Sequence, residues 1–187
     1  VALITDKPEQ NVAGISSAYG EFFPSLAKQT QVKNLYLFDI APIQLERMQN
    51  KIPKQIFEKK CHFFQSDAEN IAIQNQCVDT SVLFFLLHEL PANVRANVLA
   101  QALRITKVGG RLVIADYAQF NSIHSFHRYS IFRTVFETME PFLADFWESD
   151  LLAELNIQAN LQGRTVKLSN ELYYFNEFYR VLELVIE

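Results

Sequence analysis

NVAGISSAYG, residues 11–20, and NLYLFD, residues 34–39, decide the reading of this chain. A short apolar run enters a turn of small residues, the turn opens a helical pattern over residues 21–29, and a second apolar run ends on Asp39. That order predicts a β-loop-α-β unit. Such a unit holds a nucleotide-like ligand because small residues let the backbone approach it, while an acid at the end of the second strand takes the ribose hydroxyls. Asp39 lies 19 positions after Gly20, close to the roughly 20 expected of that acid.

Outward from this unit the pattern continues as alternating strands and helices. Residues 1–10 hold Lys7 and Pro8 without periodicity and read as the end of a helix or a loop. Ala41 and Pro42 open a helix through about Ile52, with Ile43, Leu45 and Met48 inward, and Pro53 ends it. HFF at 62–64 is a third strand running into Ser66 and Asp67. VLFFLL at 82–87 suits a central parallel strand covered on both faces, and it leads into His88 and Glu89. Pro91 and the spacing of Val94, Val98, Leu99, Ala102 and Leu103 mark a long helix, which Val108, Gly109 and Gly110 stop before a strand at 111–115. Asp116 and Tyr117 follow that strand. Residues 120–152 are helical by pattern, divided by Pro141, and dense in aromatics, among them Phe126, Tyr129, Phe132, Phe136, Phe146 and Trp147. After residues 156–163, two strands at 165–174 and 178–186 form a hairpin turning at 175–177.

Composition narrows the class. A chain of 187 residues, 49% hydrophobic and 20% charged, fits one globular domain with a substantial core. A net charge of −4 without a long basic run argues against a nucleic-acid partner. Only Cys61 and Cys77 are present, without zinc-ligand spacing, so neither a disulfide framework nor a metal site is expected and a reduced, cytoplasmic setting is. No apolar run reaches the roughly 18 residues of a membrane span, although a peripheral membrane contact stays open. The first motif lies so near Val1 that a further segment ahead of it is expected.

The order of elements and these local patterns resemble the class I S-adenosylmethionine-dependent methyltransferases, quinone methyltransferases and the rhodoquinone-forming type among them. The family's first motif runs apolar-acid-apolar-Gly-x-Gly-x-Gly. Gly20 matches the last glycine, Ser16 and Ala18 replace the first two, and Gly14 stands where the acid is usual. The helix, Gly-Gly and RLVIADY at 111–117 look like the family's fourth helix and fifth strand. The resemblance implies an α/β fold over residues 1–187: a doubly wound, Rossmann-like sheet of seven strands, mostly parallel, with an antiparallel C-terminal hairpin strand and an aromatic-rich helical insert after the fifth strand.

It also implies S-adenosylmethionine as cofactor, held by Ser16, Ala18 and Gly20, with Asp39 on the ribose and Asp67 on the adenine amino group. His88 is the expected general base and Tyr117 the expected acceptor-orienting hydroxyl. Phe126, Tyr129 and Phe132 are expected to line the site of a small, largely apolar acceptor such as a quinone or phenol, with His124, His127, Arg128 and Arg133 near a polar head group. Plainer roles stand beside these: Asp67 as a turn cap, His88 and Glu89 as the start of a helix, Tyr117 as a rim aromatic, and the insert's aromatics as core or as a homodimer interface. Two other functions share the pattern. One is amination of a quinone with the same cofactor, and the other is a non-catalytic interaction module that has lost its glycines.

Overall fold

A computed structural model of the chain describes residues 8–16, 20–119 and 130–187. In chain order these form β1 (Gln10–Ile15), α1 (Phe22–Ala27), β2 (Val32–Asp39), α2 (Pro42–Lys51), α3 (Lys54–Lys60), β3 (Cys61–Gln65) and β4 (Val78–Phe84). A 3₁₀ turn (Leu87–Glu89) follows, then α4 (Ala92–Ile105), β5 (Thr106–Tyr117), α5 (Ser130–Met139), α6 (Leu143–Glu148), α7 (Leu151–Leu161), β6 (Val166–Tyr174) and β7 (Tyr179–Ile186).

The strands make one seven-stranded sheet in the order β3-β2-β1-β4-β5-β7-β6. The β1, β2, β3, β4 and β5 pairings are parallel, and β7 runs antiparallel to both of its neighbours. This is the expected Rossmann-like architecture with its C-terminal hairpin. Side chains alternate across each strand, so neighbouring positions feed opposite layers. Leu112, Ile114, Leu182 and Leu184 join the core under α4, α6 and α7, while Val12, Leu35, Leu37, Val82 and Val113 join the layer with Phe23 and Leu26 of α1.

Two local expectations are corrected and two unassigned stretches prove helical. The helix after Pro53 is real: α3 uses Pro53 as its N-cap and buries none of its own residues, which is why no apolar period announced it. Strand β4 stops at Phe84, because Phe85 takes φ +51 and turns the chain. The VLFFLL run continues past the strand only because Leu86 and Leu87 drop into the core. Gly109 and Gly110 do not stop α4, which ends at Ile105 with β5 beginning at the next residue. They sit in an excursion from the ladder, since Val78 pairs with Thr106 but Thr80 pairs with Arg111. Gly109 has φ +74 there, and a Cβ on Gly110 would lie 2.7 Å from the Lys107 carbonyl oxygen. Residues 156–161, given no element by the sequence, belong to α7. Asp150 caps α7 by accepting from the Ala153 N–H at 3.0 Å, and Gly163 at φ +67 follows its end.

One guanidinium ties α6 and α7 to α4. Arg95 of α4 is 1% exposed. Its Nε and Nη2 donate to the two Glu154 carboxylate oxygens of α7, each at 2.9 Å, Nη2 also donates to Asp145 of α6 at 2.9 Å, and Nη1 donates to the Leu90 carbonyl at 3.3 Å. The Phe146 ring lies 5.7 Å from the same group. Pro141 falls between α5 and α6, as its place in the sequence predicted.

Candidate active site

In an open α/β sheet the ligand crevice lies beyond the carboxyl ends of the strands where the strand order reverses. Here that place is between β1 and β4, neighbours in the sheet but separated in sequence by β2 and β3. A cavity of about 350 Å³ opens beside it, walled by Ser16 after β1, Asp39 to Ala41 after β2, Ser66 to Ala68 after β3, Phe85, Leu86, Glu89 and Leu90 after β4, and Val94 and Val98 of α4. Four separate strand ends therefore converge on one hollow with a largely apolar floor.

The first of these, Ser16, has φ +66 and donates its N–H to the Phe38 carbonyl at 2.9 Å. This is left-handed backbone, the conformation a glycine adopts at least cost, so the serine performs a glycine's turn. Gly14 is required for packing: a Cβ there would lie 2.4 Å from the Phe23 ring and 2.6 Å from Leu37 Cδ2. The acid usual at that position in the resembled motif has no room here. Ala18, with Ser17 and Tyr19, lies outside the described residues. Gly20, at φ +124, is exposed and not in the cavity wall; its carbonyl accepts from Lys51 Nζ at 3.1 Å.

Asp39 and Asp67 both face the cavity. Asp39 is buried at the end of β2, and its Oδ1 accepts the Ala41 N–H at 2.8 Å, which fixes the carboxylate at the entrance to α2. Asp67 is exposed, and its Oδ1 accepts the Glu69 N–H at 2.9 Å. It is therefore a turn cap as well as a wall residue.

His88 and Glu89 part company. In a 3₁₀ turn, with about three residues per turn, adjacent side chains diverge by roughly a third of a circle. Glu89 lines the cavity, whereas His88 is 4% exposed, absent from its wall, and directed at β5 and α6. His88 Nδ1 lies 2.7 Å from Asp116 Oδ1. A carboxylate accepts only, so Nδ1 donates and the neutral ring carries its lone pair on Nε2, which has no hydrogen-bond partner among the described residues. Asp116 also accepts from the N–H groups of Leu87 at 2.9 Å and Tyr117 at 2.8 Å. Burial opposes charge on His88, but the Asp116 hydrogen bond and charge outweigh it, with Glu89 and Glu140 adding to them, so its pKa is raised. The Glu89 carboxyl is raised too, by desolvation first and then by Glu140, Asp116 and Asp39, against the pull of His88.

Aromatic rings surround this pair. Tyr117 meets His88 edge-on at 4.7 Å, and Phe85 and Phe146 stand 6.3 and 6.5 Å away. Tyr117 is buried, 5.1 Å from Phe178 and 6.3 Å from Trp147, and desolvation with neighbouring Tyr179 raises its hydroxyl pKa. Phe132 packs on Phe136 at 4.5 Å and Phe178 at 5.5 Å, away from the cavity wall. Phe126 and Tyr129 lie outside the described residues, as do His124, His127 and Arg128. Arg133 is engaged by Glu137 and Glu148 on α5 and α6. Sequence reasoning singled out neither Asp116 as the partner of His88 nor Phe85 as a wall residue; the signal for the first was its place at the end of the fifth strand.

Order of strands, antiparallel β7 and the crevice beside β1 and β4 together define a Rossmann-like methyltransferase fold. Residues 14–114, more than half of the chain, match the family described as Methyltransferase domain, and the chain belongs to it. No curated protein matches its sequence. Among solved structures it is similar to an S-adenosylmethionine-dependent methyltransferase from Aquifex aeolicus, with TM-score 0.66 and 16% identity over 100% of this chain and 92% of that one. Another from Mesorhizobium loti gives TM-score 0.70 and 9% identity over 98% and 94%. The [4+2]-cyclase SpnF gives TM-score 0.72 and 10% identity over 98% and 77%. Among the described residues no helix is long and apolar enough to cross a membrane, and no cluster of side chains suits a metal ion.

Proposed function

We propose that the protein transfers the methyl group of S-adenosylmethionine to a small, largely apolar acceptor bearing an acidic hydroxyl, of the phenol or reduced-quinone class. The cavity suits the cofactor: an apolar slot between Ile40, Leu90, Val94 and Val98 accommodates a flat base, and Asp39 and Asp67 offer acceptors at two strand ends. When bound, the cofactor supplies an electrophilic methyl group on a sulfonium. Asp39 would take the ribose hydroxyls and Asp67 the adenine amino group, with Ser16 in the wall beside them; Ala18 and Gly20 are assigned to the same cofactor loop by their place in the sequence.

One observation carries the reading of chemistry: the Asp116–His88 pair, with Nδ1 anchored at 2.7 Å and Nε2 without a hydrogen-bond partner among the described residues, set among aromatic rings. A carboxylate on Nδ1 fixes the tautomer and stabilises the imidazolium that forms, so Nε2 is the atom that removes the acceptor's proton. Tyr117, edge-on to His88, holds that ring and shapes the acceptor side. By their place in the sequence Phe126, Tyr129 and Phe132 are assigned to the acceptor cover, a composition that favours an aromatic or quinonoid substrate over a charged one; Phe132 itself packs on Phe136 and Phe178.

The test is incubation of the full chain with methyl-labelled S-adenosylmethionine and a panel of phenols and quinols, read by mass spectrometry. Methylated product that disappears in His88→Ala but not in Phe132→Leu is the expected result. An amino-substituted quinone instead of a methylated one would replace this reaction with amination, and binding of neither cofactor nor acceptor would leave a non-catalytic module.

A further inference from the structure

The cavity wall carries Asp39, Asp67 and Glu89 and not one Lys, Arg or His among the described residues. The three carboxylates differ in what they already do. Asp39 is engaged by the Ala41 N–H and Asp67 by the Glu69 N–H, each through Oδ1. The Glu89 carboxylate accepts no hydrogen bond from any described residue. Its backbone is nonetheless held firmly: the Glu89 N–H donates to the Leu86 carbonyl at 3.1 Å, and Leu87, two residues earlier, is tied to Asp116. A carboxylate on a hydrogen-bonded turn, lining a hollow and without a hydrogen-bond donor among the described residues, is complementary to a cation.

We infer that Glu89 is the specificity residue that reads the positive charge of the bound cofactor, favouring the sulfonium of S-adenosylmethionine over the neutral thioether of S-adenosylhomocysteine. The inference rests on the proposed cofactor. Its consequence for turnover is direct. Once the methyl group leaves, the ligand loses one positive charge and with it the attraction to Glu89, so the spent cofactor is held less tightly than the fresh one. Desolvation, with repulsion from Glu140, Asp116 and Asp39, raises the Glu89 pKa above that of an ordinary carboxyl against the pull of neighbouring His88. Discrimination between the two ligands therefore grows as pH rises through the Glu89 titration.

Calorimetric titration of the full chain and of Glu89→Gln with each ligand, at two pH values, tests this. Glu89 is exposed, and Gln keeps its shape, so the variant folds. Expected is a loss of at least about fivefold in S-adenosylmethionine affinity with less than about twofold change for S-adenosylhomocysteine, the scale of one partly screened charge pair. In the wild type only the sulfonium ligand should bind more tightly at the higher pH. Equal losses for both ligands, or none for either, overturn the role of Glu89 while the cofactor reading stands. Wild-type protein that binds neither ligand overturns both.

Discussion

His88 and Asp116 lie 28 residues apart in sequence and meet across 2.7 Å, imidazole Nδ1 to carboxylate Oδ1, with side chains only 5% and 2% exposed. Parallel β4 and β5 make this possible by bringing their carboxyl ends side by side. Breaking a buried pair leaves the remaining group unpaired and costs about 3–5 kcal/mol. Asp116→Asn keeps the shape but not the charge, and should lower stability by about 3 kcal/mol in urea unfolding.

The same pair sets a pH dependence. The His88 pKa is raised in the folded protein, so its contribution is fully present below the unfolded value near 6.5 and is lost as pH rises through the higher folded value. Unfolding free energy followed across that window should fall with rising pH in the wild type. In Asp116→Asn this component should vanish. If the methyl acceptor loses its proton to Nε2, activity should rise over the window in which the stabilisation declines, because the base is the neutral ring.

Asp39 answers to two roles at once. As the proposed ribose ligand it would make charge-assisted hydrogen bonds worth roughly 1.5–3 kcal/mol each, so Asp39→Ala should weaken S-adenosylhomocysteine by at least about tenfold in calorimetry. The same change removes the acceptor of the Ala41 N–H, and melting should show a loss of about 1 kcal/mol. Asp39→Asn retains that acceptor and separates the effects: near wild-type melting with weakened binding is expected.

How far this was legible in sequence depends on the range of the physics. Asp39 and Asp67 each follow an apolar run, and a strand that ends on an acid delivers it to the carboxyl edge whatever the rest of the chain does. The partnership of Asp116 with His88 is a contact between two strands, invisible until their register is known. The divergence of His88 from Glu89 was hidden because the apolar run of β4 continues into a 3₁₀ turn with no change in composition. Helix α3 was missed for the opposite reason: only Ile56 and Phe57, partly buried, pack on the core, too few to leave a period. Gly109 and Gly110 were read as a helix stop because a positive-φ glycine such as Gly109 serves equally after a helix and in a strand excursion.

Ser16 tests the turn after β1. Left-handed backbone costs a non-glycine residue roughly 1–2 kcal/mol, against about 0.5–1 kcal/mol of extra chain entropy for glycine. Ser16→Gly should therefore leave stability unchanged or raise it by up to about 1 kcal/mol. Ser16→Val places a β-branched side chain at φ +66 and should lower it by more than about 1 kcal/mol. Equal melting temperatures for the two variants would show that the turn relaxes freely.

Arg95 decides whether the aromatic cover stays in place. Its guanidinium reaches α6 through Asp145, α7 through Glu154 and the cavity loop through the Leu90 carbonyl. The geometry is a fork: Nε and Nη2 address two oxygens of one carboxylate, each at 2.9 Å. A lysine supplies one point charge in place of that fork. Arg95→Lys should thus fail to restore what Arg95→Met loses, and both should cost about 2–4 kcal/mol because Glu154 and Asp145 are left without their buried partner. Amide hydrogen exchange should rise in α6 and α7 before it rises in β1 or β4, since the central strands keep their own hydrogen bonds. Uniform acceleration across the sheet would mean that Arg95 stabilises the whole core. Acceleration confined to α6 and α7 would identify it as the fastening of the helices that carry Phe146 and Trp147 to His88 and Tyr117.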